Sequence, residues 1–474
     1  MLKRLNLLAA FVFIMFQLMS QHSKRIALVN VKVVDVEKGQ LIKNQVVIIE
    51  DNRIADIIPM TSKPKLDNCL VIQANGNYLM PGLIDSHLHL FYYIKSNKWE
   101  ELKLMFKLML ANGITGIREA GSSVYTREML SLRDSLKREY FPGPLIYVSG
   151  ITTTTNLKKF QAATYSDLVD TFNNIGVDGI KIKFTTFKET KEIIDAAKRH
   201  GLKVFGHTAN SWRNETSNMQ GDFTMEAIDH GISGVMHTGG YAPVGNNKLP
   251  LGPEPVFSNE SKRWEDWWLY FDALWLYAND DTEKKLINNM ISKKVWLEPT
   301  LSIESYISNH NAIMQKKALQ YYFYPDSSLI AGYPFPQGRQ LDTALLVFRR
   351  KQLFVKKFYD AGGLLLAGTD GSLYGSDLRD ELHYLADAGI PAAAVIKTAT
   401  YNNALVLGWI NEMGTVTKGK LANLILLKKN PLQDVGNLEN IEAIISNGNF
   451  YNKEILDKWL AEIKEKATKE KEKK

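Results

Sequence analysis

The sequence predicts an α/β protein: a closed (β/α)8 barrel with a small β-rich unit assembled from both chain ends. Eight short apolar runs, at 82–90, 113–118, 145–149, 179–184, 203–207, 234–237, 294–299 and 363–370, alternate with segments of helical periodicity such as 99–112 and 188–200. Strands alternating with helices make a parallel sheet, and eight such units close it into a barrel. Further β-rich segments precede the first run and follow the last, which suggests one split domain. A length of 474 residues supports a large core, and 45% hydrophobic with 23% charged residues excludes a disordered chain and a multispanning membrane protein.

At the start, Lys3 and Arg4 precede an apolar stretch over 5–19 interrupted only by Asn6 and Gln17, followed by Ser20, Gln21 and His22. This is the pattern of an export signal over 1–20, since about 15 apolar residues fall short of the ~20 that a membrane span needs. The expectation is a cleaved leader, an exported (periplasmic or secreted) chain and no membrane span after processing. The single Cys69 allows no intramolecular disulfide.

Strand-like stretches at 26–36, 45–50 and 53–58, with turns at 37–39 and 51–52, form a small antiparallel sheet and place the first part of the β unit at 21–79. The barrel occupies 80–410, with long insertions between 239 and 350. One insertion carries Trp264, Trp267, Trp268, Tyr270, Phe271, Trp275 and Tyr277, read as an amphipathic helix packed on the barrel. Stretches at 414–416, 422–427 and 441–446, with Asn447-Gly448 as a turn, give the second part of the β unit at 411–453, and 454–474 reads as a helix fraying into a solvated Lys/Glu tail. Net charge is 58 − 51 = +7, and six lysines lie in the last eleven residues, so the basicity is partly a tail effect. With no arginine-rich face and no nucleic-acid motif, nucleic-acid binding is not expected.

Chemistry concentrates at the ends of the runs. His87 and His89, two apart on the first, turn to the same face; Lys181, His207, His237 and Asp370 stand at or near the ends of the fourth, fifth, sixth and eighth. Barrel active sites are built at such strand ends, and imidazole with carboxylate suits zinc or a related divalent ion. His22, His200, His230, His310 and His383 fall in helical, loop or leader contexts and read as structural. A lysine desolvated in a barrel loses its proton readily and can take up carbon dioxide as a carbamate, and Lys183, on the same face, is the alternative to Lys181. The stretch 414–421 nearly fits a phosphate-binding loop, but Leu421 stands where Ser or Thr must hold magnesium.

The motifs PGLIDSHLH, GITGIREAG, GVDGIKIK, KVFGHT, GISGVMHT, AGTDGS, ELHYLADAGIPAAAVIKTATYNNALVLG and GTVTKGKLANLILLKKNPL together resemble the amidohydrolase superfamily, in its imidazolonepropionase-like and Xaa-Pro or Xaa-Arg dipeptidase-like branch. The resemblance implies a metal-dependent (β/α)8 TIM barrel with a small β-sandwich (urease-type composite domain) formed by both ends. It implies two divalent ions, zinc by preference: His87, His89 and Asp370 on one, His207 and His237 on the other, and Lys181 as a carboxylated bridge. Imidazolonepropionases lack that lysine, which turns the reading toward the binuclear dipeptidase-like enzymes. The sequence departs from the family at Asn423, where Asp is usual, and over 239–350.

The expected activity is hydrolysis of carbon–nitrogen bonds (amide, peptide or cyclic amide) by a metal-activated water, with Asp370 as base and then acid. The expected partner is a small-molecule substrate: a dipeptide, an N-acyl amino acid or a cyclic amide. The alternatives are a deaminase or lactone hydrolase on the same barrel, and a non-catalytic binding or scaffold protein, against which the filled ligand positions argue. A homo-oligomer is compatible with the sequence.

Overall fold

The structure is a computed structural model, describing residues 25–90, 97–121, 125–138, 141–183, 185–208, 222–238, 242–243, 272–308, 320–321, 339–371 and 373–472. The expected leader, His22, His310, Trp264, Trp267, Trp268, Tyr270 and Phe271 lie outside the described residues.

The chain opens with strands β1 (Arg25–Asp35), β2 (Gln40–Glu50), β3 (Arg53–Pro59), β4 (Leu70–Gln73) and β5 (Tyr78–Pro81). The barrel follows with β6 (Leu83–Leu88), α1 (Trp99–Ala111), β7 (Ile114–Glu119), α2 (Thr126–Lys137), β8 (Leu145–Thr152), α3 (Tyr165–Ile175), β9 (Gly179–Ile182), α4 (Phe187–Arg199), β10 (Val204–Gly206), α5 (Asp222–His230), β11 (Gly234–Met236), α6 (Asp280–Ser292), β12 (Trp296–Glu298), α7 (Arg339–Asp360) and α8 (Ser376–Asp387). Three strands, β13 (Leu424–Leu427), β14 (Ile441–Ser446) and β15 (Asn449–Asn452), and the helix α9 (Lys453–Glu472) complete it.

Strands β6 to β12 form a seven-stranded parallel sheet in sequence order. The eighth run is extended without a regular ladder, yet it touches both edges. Leu297 N–H donates to Leu364 O at 3.0 Å, Leu366 N–H to Leu297 O at 2.9 Å, and Ser86 N–H to Ala367 O at 3.1 Å, which joins β12 to β6. The outer helices follow their sequence signals. In α4, the Thr186 side chain accepts from Glu189 N–H while the Glu189 carboxylate accepts from Thr186 N–H, and Thr190, Ile193, Ile194 and Ala197 form the buried stripe.

Both chain ends share one eight-stranded sheet in the order β15-β14-β13-β5-β1-β2-β3, with β4 beside β1. A bulge near Asn30, at φ 61°, reverses the strand parity, so Ile26 and Leu28 before it and Val31 and Val33 after it enter the same core. The antiparallel pairing expected of the first three strands is present, β1 with β2 and β2 with β3, while β4 and β5, which were not expected, run parallel to β1. Two expectations need correction. The stretch 414–416 forms no strand. The tail is not merely solvated: Leu456, Trp459, Ile463 and Ala467 form a buried stripe on α9, and Lys107 of α1 pairs with Glu462 at 2.9 Å.

Candidate metal centre

The barrel floor is apolar: Ile84, Tyr147, Phe205, Met236, Trp296 and Leu366 pack in one cluster. Above it Arg118, wholly buried, stacks its guanidinium 4.2 Å from the Phe205 ring centre. The strand ends come next, and all six residues named from the sequence meet there.

Thr369 and Asp370 donate their backbone N–H groups to His87 O, at 3.1 and 2.7 Å, which ties the closing segment to β6. Asp370 Oδ1 is then 3.1 Å from His89 Nε2 and 3.6 Å from His87 Nε2, and its Oδ2 is 3.8 Å from His237 Nε2. Donor atoms of His87, His89 and Asp370 all lie within 4.8 Å of one another. His237 and His207 face each other, Nε2 to Nε2, at 3.1 Å. Lys181, 1% exposed, brings Nζ to 3.4 Å from His87 Nε2. Lys183 is only half-buried, two residues further along the same strand face. His237, Thr300 and Asp370 have φ of 67°, 50° and 49°, a left-handed backbone that costs about 1–3 kcal/mol each in non-glycine residues and gathers at functional sites.

Burial is the main cause holding His87, His207 and His237 well below the ordinary imidazole pKa, so these rings are neutral. It also pushes Lys181 down to about 7. Asp370 feels the same burial, but the imidazoles of His87, His89 and His237 outweigh it and keep the carboxylate ionised. At His89 burial is likewise outweighed, by the carboxylates of Asp370 and Glu119, and the pKa rises. Neutral imidazoles, a carboxylate and an amine near its titration point form a donor set that fits a divalent ion of the zinc type.

The sequence reading assigned no role to Glu298 or Thr300 of the seventh run, or to Arg118. Glu298 accepts from His87 Nδ1 at 2.8 Å, from the Ser86 hydroxyl and from the Arg118 guanidinium. Thr300 Oγ1 lies 2.8 Å from His237 Nδ1. The signal available was a carboxylate closing an apolar run, the same signal that marks Asp370. Two histidines set aside as structural lie on outer helices, where His200 pairs with Asp170 at 2.6 Å and His230 with Asp195 at 3.0 Å. Of the aromatic insertion, Trp275 is buried against Phe354 and donates to Thr238 O at 2.8 Å, from a 3-10 turn over Leu274–Tyr277.

The profile of the Amidohydrolase family matches residues 78–451. The chain belongs to this family. As an amidohydrolase it is a hydrolase acting on carbon–nitrogen bonds. Among solved structures, this amidohydrolase is similar to a Xaa-Pro dipeptidase with methionine bound in its active site, at 20% identity and TM-score 0.62, covering 90% of this chain and 100% of that one. A prolidase complexed with N-methylphosphonate-L-proline matches at 17% identity and TM-score 0.63, over 90% and 100% of the two chains. A bottromycin amidohydrolase matches at 17% identity and TM-score 0.66, over 94% and 91%. At these identities the likeness is one of fold. No curated protein matches the sequence significantly.

Proposed function

We propose that this amidohydrolase is an exported, binuclear zinc enzyme that cleaves amide bonds in small molecules: dipeptides, N-acyl amino acids or cyclic amides. The observation that carries the reading is the single cluster of His87, His89, Lys181, His207, His237 and Asp370 at the barrel mouth, with the Lys181 amine buried beside His87. The prolidase and dipeptidase neighbours support amide substrates, and the basic-then-apolar pattern over 1–20 supports export.

In this reading His87, His89 and Asp370 would hold one ion and His207 and His237 a second, and Lys181, as a carbamate, would supply a negative charge to both. The neutral Nζ adds to the carbon of carbon dioxide and releases one proton, leaving two oxygens and one negative charge. Bound ions supply a water of lowered pKa and polarise the substrate carbonyl. Asp370, whose carboxylate reaches both His89 and His237, would take a proton from the attacking water and return it to the leaving nitrogen. Without that returned proton an amide nitrogen leaves poorly.

Metal analysis of the mature protein, combined with turnover of dipeptides, N-acyl amino acids and cyclic amides, tests the reading. Two divalent ions per chain and release of an amine or amino acid are expected. Ammonia as the product would replace amide cleavage with deamination, and full activity without bound metal would overturn the proposal. Lys181→Ala is expected to lose activity and about one ion while Lys183→Ala keeps both; the reverse result moves the bridge to Lys183.

A further inference from the structure

The end of the seventh barrel strand serves two of these histidines at once. We infer that Glu298 and Thr300 are positioning residues that lock His87 and His237 into the tautomer protonated at Nδ1, with Arg118 holding Glu298 in place from below. The inference rests on the metal reading above only for its consequence; the tautomers follow from hydrogen-bond chemistry.

Glu298 Oε1 is 2.8 Å from His87 Nδ1, and both side chains are fully buried. A carboxylate paired with a guanidinium is an acceptor, so the ring donates and Nδ1 carries hydrogen. The other oxygen, Oε2, makes an ion pair with the Arg118 guanidinium and lies beside Ser86 Oγ. At Thr300 the argument runs through the hydroxyl hydrogen. Oγ1 is 2.8 Å from Pro299 O, which can only accept, so the hydroxyl spends its hydrogen there. Toward His237 Nδ1, also at 2.8 Å, Oγ1 is left to accept, and that ring too carries hydrogen at Nδ1. The backbone adds a third tie, His237 N–H to Glu298 O at 2.8 Å.

The consequence is that both Nε2 lone pairs are bare and face the cluster, His87 toward Asp370 Oδ1 at 3.6 Å and His237 toward His207 Nε2 at 3.1 Å. A buried ion pair is weak evidence for stability. This one is also incompletely satisfied: among the described residues, Nε and Nη1 of Arg118 find no hydrogen-bond partner. Orientation of His87 gives that arrangement a use. Groups that hold a ligating histidine from behind typically change metal affinity by about 10–100-fold when removed.

The test is long-range ¹H–¹⁵N correlation of the imidazoles in the full chain labelled with ¹⁵N-histidine, with and without Zn2+, alongside Zn2+ titration. The unliganded chain is expected to show His87 and His237 protonated at Nδ1. Glu298→Gln should mix the His87 tautomers and weaken Zn2+ binding by about 10–100-fold. Thr300→Val should do the same at His237 alone, and Thr300→Ser should restore it. If Glu298→Gln fails to fold by circular dichroism, the Thr300 pair decides. Wild-type tautomers and affinity in the Gln and Val variants, or either ring protonated at Nε2 in the native chain, overturn the inference. A native chain that binds no Zn2+ but shows these tautomers, mixed by Thr300→Val, fails the metal reading and leaves the positioning intact.

Discussion

Asp370 is asked to bind an ion and to move a proton, and one substitution separates the two tasks. Asp370→Asn keeps size and an oxygen donor, but an amide does not accept and return a proton near neutral pH. Turnover is expected to fall ~100-fold or more while most of the metal stays, as measured by steady-state kinetics and metal analysis. Joint loss of metal and fold would make Asp370 structural. Lys181 gives a pH prediction. Its pKa is depressed to about 7, so the neutral amine that carbon dioxide needs exists above that pH and vanishes below it. At pH 7 about half the amine is neutral, against roughly one part in 2,500 for an ordinary lysine near 10.4. The carbamate signal from ¹³C-bicarbonate, at fixed dissolved carbon dioxide, should rise through pH ~7; a signal that appears only near pH 10 would contradict the buried amine. All six cluster residues were legible because each is polar and stands at or near the end of an apolar run. Glu298 met the same criterion and was passed over, since its use depends on His87, 211 residues away in sequence, and spacing alone does not reveal that pairing.

At the level of elements, the closing segment works because it carries a glycine where strands crowd. A Cβ at Gly368 would lie 2.8 Å from His87 Cβ, 2.9 Å from Glu298 Cδ and 2.9 Å from Ser86 Oγ. Gly368→Ala is therefore expected to destabilise the protein by about 1–3 kcal/mol, the usual range for overpacking, and to weaken Zn2+ binding by disturbing the His87–Glu298 contact. Thermal unfolding with Zn2+ titration checks both; native values in each would show that the neighbours yield freely. The barrel was legible from its alternation of apolar runs and helices. Strand β4 was not, because Leu70 and Val71 are 59% and 42% exposed and four half-solvated residues carry no clear pattern. The contrary error occurred at α9. Lysine and glutamate dominate its composition, and they mask a stripe at Leu456, Trp459, Ile463 and Ala467 whose spacing of three, four and four is helical.

Seen whole, the β unit and the barrel are not separable bodies. One sheet face has its own core, but Val34, Val36, Met80, Ile425, Leu427 and Ile444 join the same cluster as the barrel helices, together with Leu456 and Trp459 of α9. Strand β5 makes the union, pairing with β1 on one side and with β13 on the other. Met80 thus waits for Ile425, which is made 425 − 80 = 345 residues later. At a synthesis rate of ~5–20 residues per second, that wait is roughly 17–70 s. Throughout it, β5 presents an unpaired edge and an apolar face, the surface on which strands of other chains add. Chains stalled on the ribosome after residue 420 should therefore be digested throughout by added protease, barrel included, whereas released chains resist. A protected barrel in the stalled chains would show that the two parts fold apart. In the living cell this arrangement makes the order of manufacture a burden: β5, one of the first strands made, is among the last to gain its second neighbour, and the polypeptide depends on being shielded until its far end emerges.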